Sequence, residues 1–151
     1  MRGRGSDPML VKSILATKGG DVVSIEPTAT LETAVHKLAE HRIGALLVLG
    51  PDNRVVGILS ERDVVRVMAE RGAGVLAEPL SQVMTRKVVT CTQADTVASL
   101  MELMTTGKFR HVPVVEQERV LGVVSIGDIV KYRLREIEEE STALRDYIQT
   151  A

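Results

Sequence analysis

Apolar residues follow two spacings along the chain, strand-like in some segments and helix-like in others. In the first half, short apolar runs flank a segment whose apolar residues recur at every third or fourth position. A further helical segment follows the last run and ends in a glycine-rich stretch. The predicted elements are a strand at Val22–Ile25, a helix from Leu31, strands at Ala45–Leu49 and Val55–Leu59, and a helix between Ser60 and Gly72.

The second half repeats this order. Residues 23–49 align with residues 89–115 at an offset of 66, and residues 54–65 align with 119–130 at an offset of 65, with six identities in twelve positions. The lead-in Val11–Leu15 is echoed by Leu80–Met84, and Thr30 and Thr96 are candidate helix N-caps. The predicted elements are strands at Val88–Cys91, Val112–Val115 and Val120–Val124, a helix from Val97, and a last helix from about Gly127 towards Ile148.

Two β-α-β-β-α units in one chain predict an α+β fold, because each unit is too small to close a core alone. We expect the two sheets to pack on each other. Residues 1–8 lack this periodicity, and we interpret them as an expression-vector remnant. The predicted domains are then residues 9–72 and 79–135, followed by a helical extension over 136–151.

Composition narrows the classes of function. The 151 residues carry a net charge of −1 and only 2% aromatic side chains, which argues against a nucleic-acid-binding protein. No apolar run is long enough to span a membrane, and no signal peptide is recognisable, so we expect a cytoplasmic protein with no membrane partner. The single cysteine, Cys91, is interpreted as a core residue, and His36 and His41 as surface residues; no metal site is expected.

The motif Gly-h-h-Ser-x-x-Asp, where h is apolar, joins a strand to a helix in both repeats, at Gly57–Asp63 and Gly122–Asp128. A serine followed by an acid three residues later is a helix-capping box, which needs no ligand. The same geometry offers free amides to a phosphate and a carboxylate to the two hydroxyls of a ribose. Capping does not explain the glycine in both copies, and a glycine permits close approach of a ligand to the backbone.

The tandem arrangement of this motif resembles a pair of CBS domains, named after cystathionine β-synthase, over nearly all of the chain from Met9 to about Arg135. The resemblance implies two β-α-β-β-α repeats packed sheet to sheet about a pseudo-twofold axis. It also implies clefts that bind AMP, ADP, ATP, NAD(H) or S-adenosylmethionine, a homodimer, and regulation of another protein.

The resemblance also implies site residues. Asp128 and Asp63 match the ribose-binding aspartate, and Arg110 and His111 match a basic pair that contacts phosphate in the nucleotide sensor of AMP-activated protein kinase. The first repeat has no such pair at Gly44 and Ala45, so we rank the Asp128 cleft as the better site. The candidate residues of the better cleft are Lys18, Gly20, Asp21, Val22, Arg110, His111, Ser125 and Asp128. Those of the second cleft are Arg42, Ala45, Ser60, Asp63, Lys87 and Val88.

Three functions remain open at this point. The first is a non-catalytic regulatory module that senses the energy state through an adenine nucleotide and acts on a separate, unknown protein. The alternative is a structural adaptor that dimerises without any ligand. An enzyme is disfavoured, because the chain shows no recognisable set of catalytic residues and no catalytic cofactor motif. An apolar stripe on the last helix, at Leu134, Ile137, Leu144 and Ile148, favours a second copy of the chain as its cover.

Overall fold

The computed structural model describes residues 7–20 and 22–150, and within them the fold is α+β as expected. The helices are Val11–Lys18 (α1), Leu31–His41 (α2), Glu61–Arg71 (α3), Val97–Gly107 (α4) and Ile126–Thr150 (α5). The strands are Ser24–Ile25 (β1), Ala45–Leu49 (β2), Val55–Ser60 (β3), His111–Glu116 (β4) and Arg119–Ser125 (β5). Within the described ranges, none of the helices is both long and apolar enough to cross a membrane.

The chain forms two compact units whose limits differ from those of the sequence repeats. Among the described residues, one unit contains 22–89 and 117–121, and we call it the first-repeat unit. The other, the second-repeat unit, contains the described residues 7–20, 90–116 and 122–150. The lead-in of each repeat therefore belongs to the compact unit of the other repeat. The predicted domains, 9–72 and 79–135, instead group each lead-in with its own repeat. Of the segment interpreted as a vector remnant, only Asp7 and Pro8 lie among the described residues.

The first-repeat unit is built on a three-stranded sheet in the order β1-β2-β3. Strand β1 pairs in parallel with β2, and β3 pairs with β2 in antiparallel register, with Ala45 opposite Ser60. The segment of residues 72–90, which follows α3 and which we call the linker, adds a bridge between Ile58 and Thr85 beside β3. The buried core combines apolar residues of the sheet, of α2 and α3, and of the linker: Ile25, Leu31, Ala34, Leu38, Leu46, Val48, Leu59, Val67, Val75, Leu80, Val83 and Met84.

The second-repeat unit reproduces this plan with a two-stranded sheet, β4-β5. The place of β1 is taken by one parallel bridge, Cys91 to Val114, which matches the Ile25–Val48 pair of the first repeat. Helix α1 joins this unit through the bridge from Leu10 to Thr96 and buries Val11 and Ile14 completely. The other buried apolar residues include Val97, Leu100, Met104, Val112, Val124, Ile129 and Tyr132.

Helix ends follow the sequence prediction closely. The side chains of Thr30 and Thr96 accept hydrogen bonds from the backbone N–H of Thr33 and Ser99, at 3.2 and 3.0 Å. These two N-caps satisfy amides that the first turn of a helix leaves without intrahelical partners. At the other end, Arg42 and Lys108 both adopt the left-handed conformation after α2 and α4. The local geometry is thus repeated even where the residues differ.

The predicted first strand of each repeat is too long. Strand β1 covers Ser24–Ile25 rather than Val22–Ile25, and in place of a strand at Val88–Cys91 only Cys91 forms a bridge. An apolar segment becomes a strand only where its backbone finds a partner, and most of residues 86–90 are exposed.

The last helix begins at Ile126, directly after the capping Ser125, and extends to Thr150.

Candidate functional site

The junction of β5 and α5 holds Asp128 in a fixed position. Its Oδ2 accepts hydrogen bonds from the backbone N–H and the hydroxyl of Ser125, at 2.9 and 3.0 Å. The backbone N–H of Asp128 in turn donates to Oγ of Ser125 at 3.2 Å. The carboxylate therefore sits in the first turn of a helix, where the positive end of the helix dipole favours a negative charge. This arrangement completes a capping box and leaves the side chain 24% exposed.

Lys18 contacts this carboxylate from the end of α1. Its Nζ lies 2.6 Å from Oδ2 of Asp128 and donates a second hydrogen bond to the carbonyl oxygen of Val123 at 2.9 Å. Partial burial would by itself raise the pKa of Asp128. The hydrogen bonds from Lys18 and Ser125, with the Lys18 charge, outweigh burial and hold the pKa below its ordinary value. Asp128 is thus an ionised acceptor beside a cation.

The backbone of Arg110 is joined to the same helix start. Its carbonyl oxygen accepts a hydrogen bond from the backbone N–H of Ile126, the first residue of α5, at 2.8 Å. The Arg110 side chain is exposed, and the half-buried His111 begins β4 directly after it. The structure therefore brings the backbone of the predicted basic pair to the end of α5 that carries Ser125 and Asp128.

The remaining predicted residues of the better cleft have different positions. Gly19 ends α1 with a φ of 89°, and Gly20 follows it as an exposed residue of the second-repeat unit. Asp21 lies outside the described residues. Val22 is half-buried and belongs to the first-repeat unit. From the predicted set, the second-repeat unit thus brings together the side chains of Lys18, Ser125 and Asp128, with the Arg110 backbone beside the same helix start.

The β3–α3 junction contains a second capping box. Oδ2 of Asp63 accepts from the backbone N–H and hydroxyl of Ser60 at 2.9 and 3.0 Å, and the N–H of Asp63 donates to Oγ of Ser60 at 3.2 Å. Its cation differs, because Arg66 of the same helix donates to Oδ1 at 3.1 Å. The hydroxyl of Thr85 lies 3.5 Å from both oxygens. Both oxygens of Asp63 therefore have neighbouring donors, and its side chain is only 16% exposed.

The other residues predicted for the second cleft are only partly brought together. Ala45 pairs with Ser60 across β2 and β3, so it lies at the junction. Arg42 is the exposed left-handed residue that ends α2, and its structural counterpart is Lys108 rather than Arg110. Lys87 is exposed and Val88 half-buried, and Thr85 is the linker residue beside Asp63. The first repeat thus offers no counterpart of the Arg110–His111 pair.

The repeated glycine has a packing role that the sequence analysis did not identify. A Cβ at Gly57 would lie 2.5 Å from Sδ of Met84 and 3.1 Å from the backbone oxygen of Thr85. A Cβ at Gly122 would lie 2.6 Å from Cδ2 of Leu15. Each glycine thus makes room for the last apolar side chain of a lead-in segment. Its presence in both copies is explained without a ligand, so the glycine no longer supports binding.

Sequence reasoning missed the hydrogen-bonding groups that distinguish the two junctions. Thr85 and Arg66 near Asp63, and the carbonyl of Val123 near Lys18, were not predicted. Arg66 was detectable in principle, because a cation three residues after an acid lies on the same helix face. Thr85 and Val123 had no comparable signal, since their positions depend on how the lead-in segments pack.

Other reactive residue types do not form a site in the described part of the chain. Cys91 is buried, and desolvation, with a smaller contribution from Asp95, raises its pKa to about 12, so its thiol stays protonated and unreactive. No group of three or more histidine, cysteine or acidic side chains is placed to hold a metal within residues 7–20 and 22–150.

Comparisons with known proteins give limits close to those of the two sequence repeats. The CBS domain family model matches residues 11–70 and 80–135. The mitochondrial CBS domain-containing protein CBSX3 of Arabidopsis thaliana is 31% identical over 99% of this chain and 76% of its own length. The crystal structure of a CBS-domain-containing protein of Agrobacterium tumefaciens is 46% identical, with a TM-score of 0.80, covering 83% of this chain and 99% of that one.

A third structure carries ligands. The CBS domain pair of protein MJ0100, solved in complex with 5′-methylthioadenosine and S-adenosyl-L-methionine, is 25% identical. It superimposes with a TM-score of 0.74 and covers 83% of this chain and 96% of its own. Both ligands of that protein are adenosyl compounds. The duplicated strand–capping box–helix junctions and the two matched segments establish that this chain belongs to the CBS-domain family, as a protein with a pair of CBS domains.

Proposed function

We propose that this protein is a non-catalytic regulatory module that binds an adenine nucleotide at the Asp128 junction and acts on a separate protein, as a homodimer. The ligands we propose are AMP, ADP, ATP or NAD(H). The observation that carries the proposal is the environment of Asp128: an ionised carboxylate fixed at a helix start, next to Lys18, with the Arg110 backbone hydrogen-bonded to the same helix end. The adenosyl ligands of the MJ0100 pair support the ligand class.

The acceptor capacity of the carboxylate suits a ribose. Three donors approach Oδ2 of Asp128, namely the N–H and hydroxyl of Ser125 and the ammonium of Lys18. A carboxylate has about four acceptor sites over two oxygens, so Oδ1 can still accept from sugar hydroxyls. Hydrogen bonds to an ionised acceptor are the stronger kind. Asp63 has less free capacity, because Arg66 and Thr85 approach its Oδ1.

Charge selects among adenosyl compounds. Lys18 is a cation at the start of α5, with its Nζ 2.6 Å from Asp128, and Arg110 adds a second cation on the segment whose backbone is hydrogen-bonded to that helix start. A phosphate-bearing ligand gains from these charges, whereas the sulfonium of S-adenosylmethionine does not. We therefore expect AMP, ADP, ATP and NAD(H) to bind more tightly than S-adenosylmethionine.

Titration calorimetry of the purified chain with AMP, ATP, NADH and S-adenosylmethionine tests this proposal. A ligand of AMP size is expected to bind with a dissociation constant in the micromolar range, on the order of −0.3 kcal/mol per heavy atom. At a hundredfold excess over that constant, the midpoint of thermal unfolding should rise by about 5–10 °C. The absence of heat and of any thermal shift with all four compounds would contradict nucleotide binding.

A ligand-free adaptor is the second candidate, and a specific observation favours it. Both capping boxes are complete without a ligand, and the repeated glycines are explained by Met84 and Leu15. Under this alternative, the chain captures its partner equally well with and without nucleotide. It would be supported if Asp63→Ala and Asp128→Ala variants stayed folded and captured the partner as the unchanged chain does.

A further inference from the structure

We infer that the exposed apolar stripe of α5, from Val130 to Ile148, is a docking surface for the same helix of a second copy of this chain, in a parallel coiled coil. This inference names the interface of the proposed homodimer and rests on that part of the proposed function alone. It does not depend on whether a nucleotide binds at Asp128.

The first observation is an apolar stripe along α5, interrupted at Ser141, that the described residues leave exposed. Large apolar side chains of α5 have exposed fractions between 39% and 72%: Val130, Leu134, Ile137, Leu144, Tyr147 and Ile148. From Ile137 to Thr150 every residue except Ser141 is exposed. Residues 137–150 extend for about 20 Å at 1.5 Å per residue. A helix of this length with one apolar face is stable in water only when something covers that face.

The second observation is that the stripe has heptad spacing. With Ser141 included and Tyr147 left aside at a flanking g position, the positions alternate by four and three residues, which is the a/d pattern of a two-stranded coiled coil. The d positions are Val130, Ile137 and Leu144, and the a positions are Leu134, Ser141 and Ile148. A pattern of period 3.5 favours a second α-helix as the occupant over a flat surface.

The third observation is the charge on either side of the stripe. The g positions hold Arg133, Glu140 and Tyr147, and the e positions hold Lys131, Glu138 and Arg145. In a parallel, in-register pair, each g residue lies near the e residue five positions later in the other helix. Arg133 then meets Glu138 of the second copy, and Glu140 meets Arg145 of the second copy. Both contacts are attractive, and each occurs twice in the symmetric dimer.

The same charges disfavour an antiparallel pair. An antiparallel register that covers the stripe places Leu134 opposite Leu144 of the other helix. That register brings Glu138 against Glu138 and Glu140 against Glu140 of the second copy, which are repulsive contacts. The charges at the e and g positions therefore favour a second copy of α5 as the partner. They also favour a parallel orientation of the two helices.

Arg133 is able to serve the interface and its own helix together. It donates to Oε1 of Glu136 at 2.7 Å within α5. A guanidinium has five N–H donors, so this bond leaves others for Glu138 of the second copy. Glu136 is buried and also accepts from the backbone N–H of Met9 at 2.7 Å, which holds the start of the extension to the second-repeat unit. The paired helices would thus be anchored to folded domains.

Disulfide trapping tests whether the two α5 helices run parallel or antiparallel. In the parallel pair the two copies of position 144 face each other at disulfide distance, whereas the antiparallel register places position 144 opposite Leu134. A Leu144→Cys chain, oxidised with diamide, should form a covalent dimer on a non-reducing gel. The control Ala143→Cys, an exposed neighbour, should form far less. Equal trapping at 143 and 144, or none at 144, would overturn the parallel arrangement.

Sedimentation equilibrium of the full chain tests whether the apolar stripe of α5 forms the dimer interface. Leu144→Asp should raise the dimer dissociation constant at least about tenfold, because it places a charge in the apolar seam twice per dimer. Ala143→Asp adds the same charge on the solvent side and should leave the constant within about twofold. Since both residues are exposed, neither change threatens the fold, and circular dichroism verifies this. Glu140→Arg should weaken the dimer, and adding Arg145→Glu to it should restore attraction.

The outcomes separate this inference from the rest of the proposed function. A dimer that survives Leu144→Asp unchanged would overturn the α5 surface and leave the homodimer standing. A chain that is monomeric at every concentration examined would overturn both. Neither result bears on nucleotide binding, which calorimetry measures independently.

Discussion

Both repeats join a strand to a helix through a serine and an aspartate, and the hydrogen bonds within the two junctions have the same lengths of 2.9, 3.0 and 3.2 Å. What differs is the surroundings. Asp63 is bonded to Arg66 of its own helix and has Thr85 beside it, whereas Asp128 is bonded to Lys18, more than a hundred residues away in the chain. Capping is therefore common to both junctions, and any ligand preference must come from their neighbours.

The two repeated glycines likewise have the same role in packing but different neighbours. Gly57 and Gly122 both accommodate a lead-in side chain, but their surroundings tolerate change differently. Near Gly57 a backbone oxygen lies within 3.1 Å of the Cβ position, and backbone yields less readily than a side chain. Near Gly122 the close neighbour is the end of Leu15, with the next atom at 3.8 Å.

The largest expected effect on stability is therefore at Gly57. Gly57→Ala should lower the free energy of unfolding by about 2–3 kcal/mol, and Gly122→Ala by about 1 kcal/mol, because overpacking is relieved more easily at Leu15. Urea denaturation of both variants measures this difference. Combining Gly57→Ala with Met84→Ala should cost less than the sum of the single changes. An equal loss in the free energy of unfolding for the two variants would show that the different surroundings of the two glycines do not affect stability.

The next effect tests what the two junctions share. Ser60→Ala and Ser125→Ala each remove a cap of the same geometry, so each should lower the free energy of unfolding by about 1 kcal/mol. The same denaturation experiment compares them. A loss at Ser125 well above that at Ser60 would mean that this hydroxyl does more than cap its helix.

The smallest effect concerns the Lys18–Asp128 pair. Because the pKa of Asp128 is lower in the folded chain than in the unfolded one, the pair stabilises the fold above about pH 4, the ordinary range for aspartate. That contribution is lost as the pH falls through the lowered pKa. Lys18→Met should therefore be less stable than the unchanged chain at pH 7, and the difference should shrink below pH 4.

Chemical denaturation at several pH values between pH 3 and pH 7 measures how the stability difference depends on pH. This range includes the ordinary aspartate pKa of about 4. Arg66→Met, which removes the exposed cation beside Asp63, is the matched control for loss of a surface charge. A difference between Lys18→Met and the unchanged chain that stays constant over this range would contradict the assigned role of Lys18.

Much of the fold was predictable because it follows from local patterns. Helix positions, the N-caps Thr30 and Thr96, and the serine–aspartate junctions depend on residues within one or two turns of each other. The strands at Val22–Ile25 and Val88–Cys91 were overestimated because pairing, not apolar content, determines where a strand ends. Contacts between distant segments, such as Thr85 with Asp63, leave no periodic signal in the sequence.

The candidate site was predictable in part for the same reason. Ser125 and Asp128 follow from their motif, and Lys18 was placed beside Asp128 through the repeat and the family resemblance. The role given to the glycine was wrong as an argument for a ligand, because the sequence did not show that Leu15 and Met84 fill the space next to it. The nucleotide ligand remains a proposal that chemistry at Asp128 supports.

The most direct test is calorimetric titration of AMP into two matched variants, Asp128→Ala and Asp63→Ala. Both lose a capping box of the same geometry, so damage to the helix start is balanced between them. If Asp128 binds the ribose, its loss should weaken AMP by about 2 kcal/mol, or roughly thirtyfold, while Asp63→Ala leaves the affinity within about twofold. An equal loss in both variants, or a larger one in Asp63→Ala, would contradict the assignment of the nucleotide to the Asp128 junction.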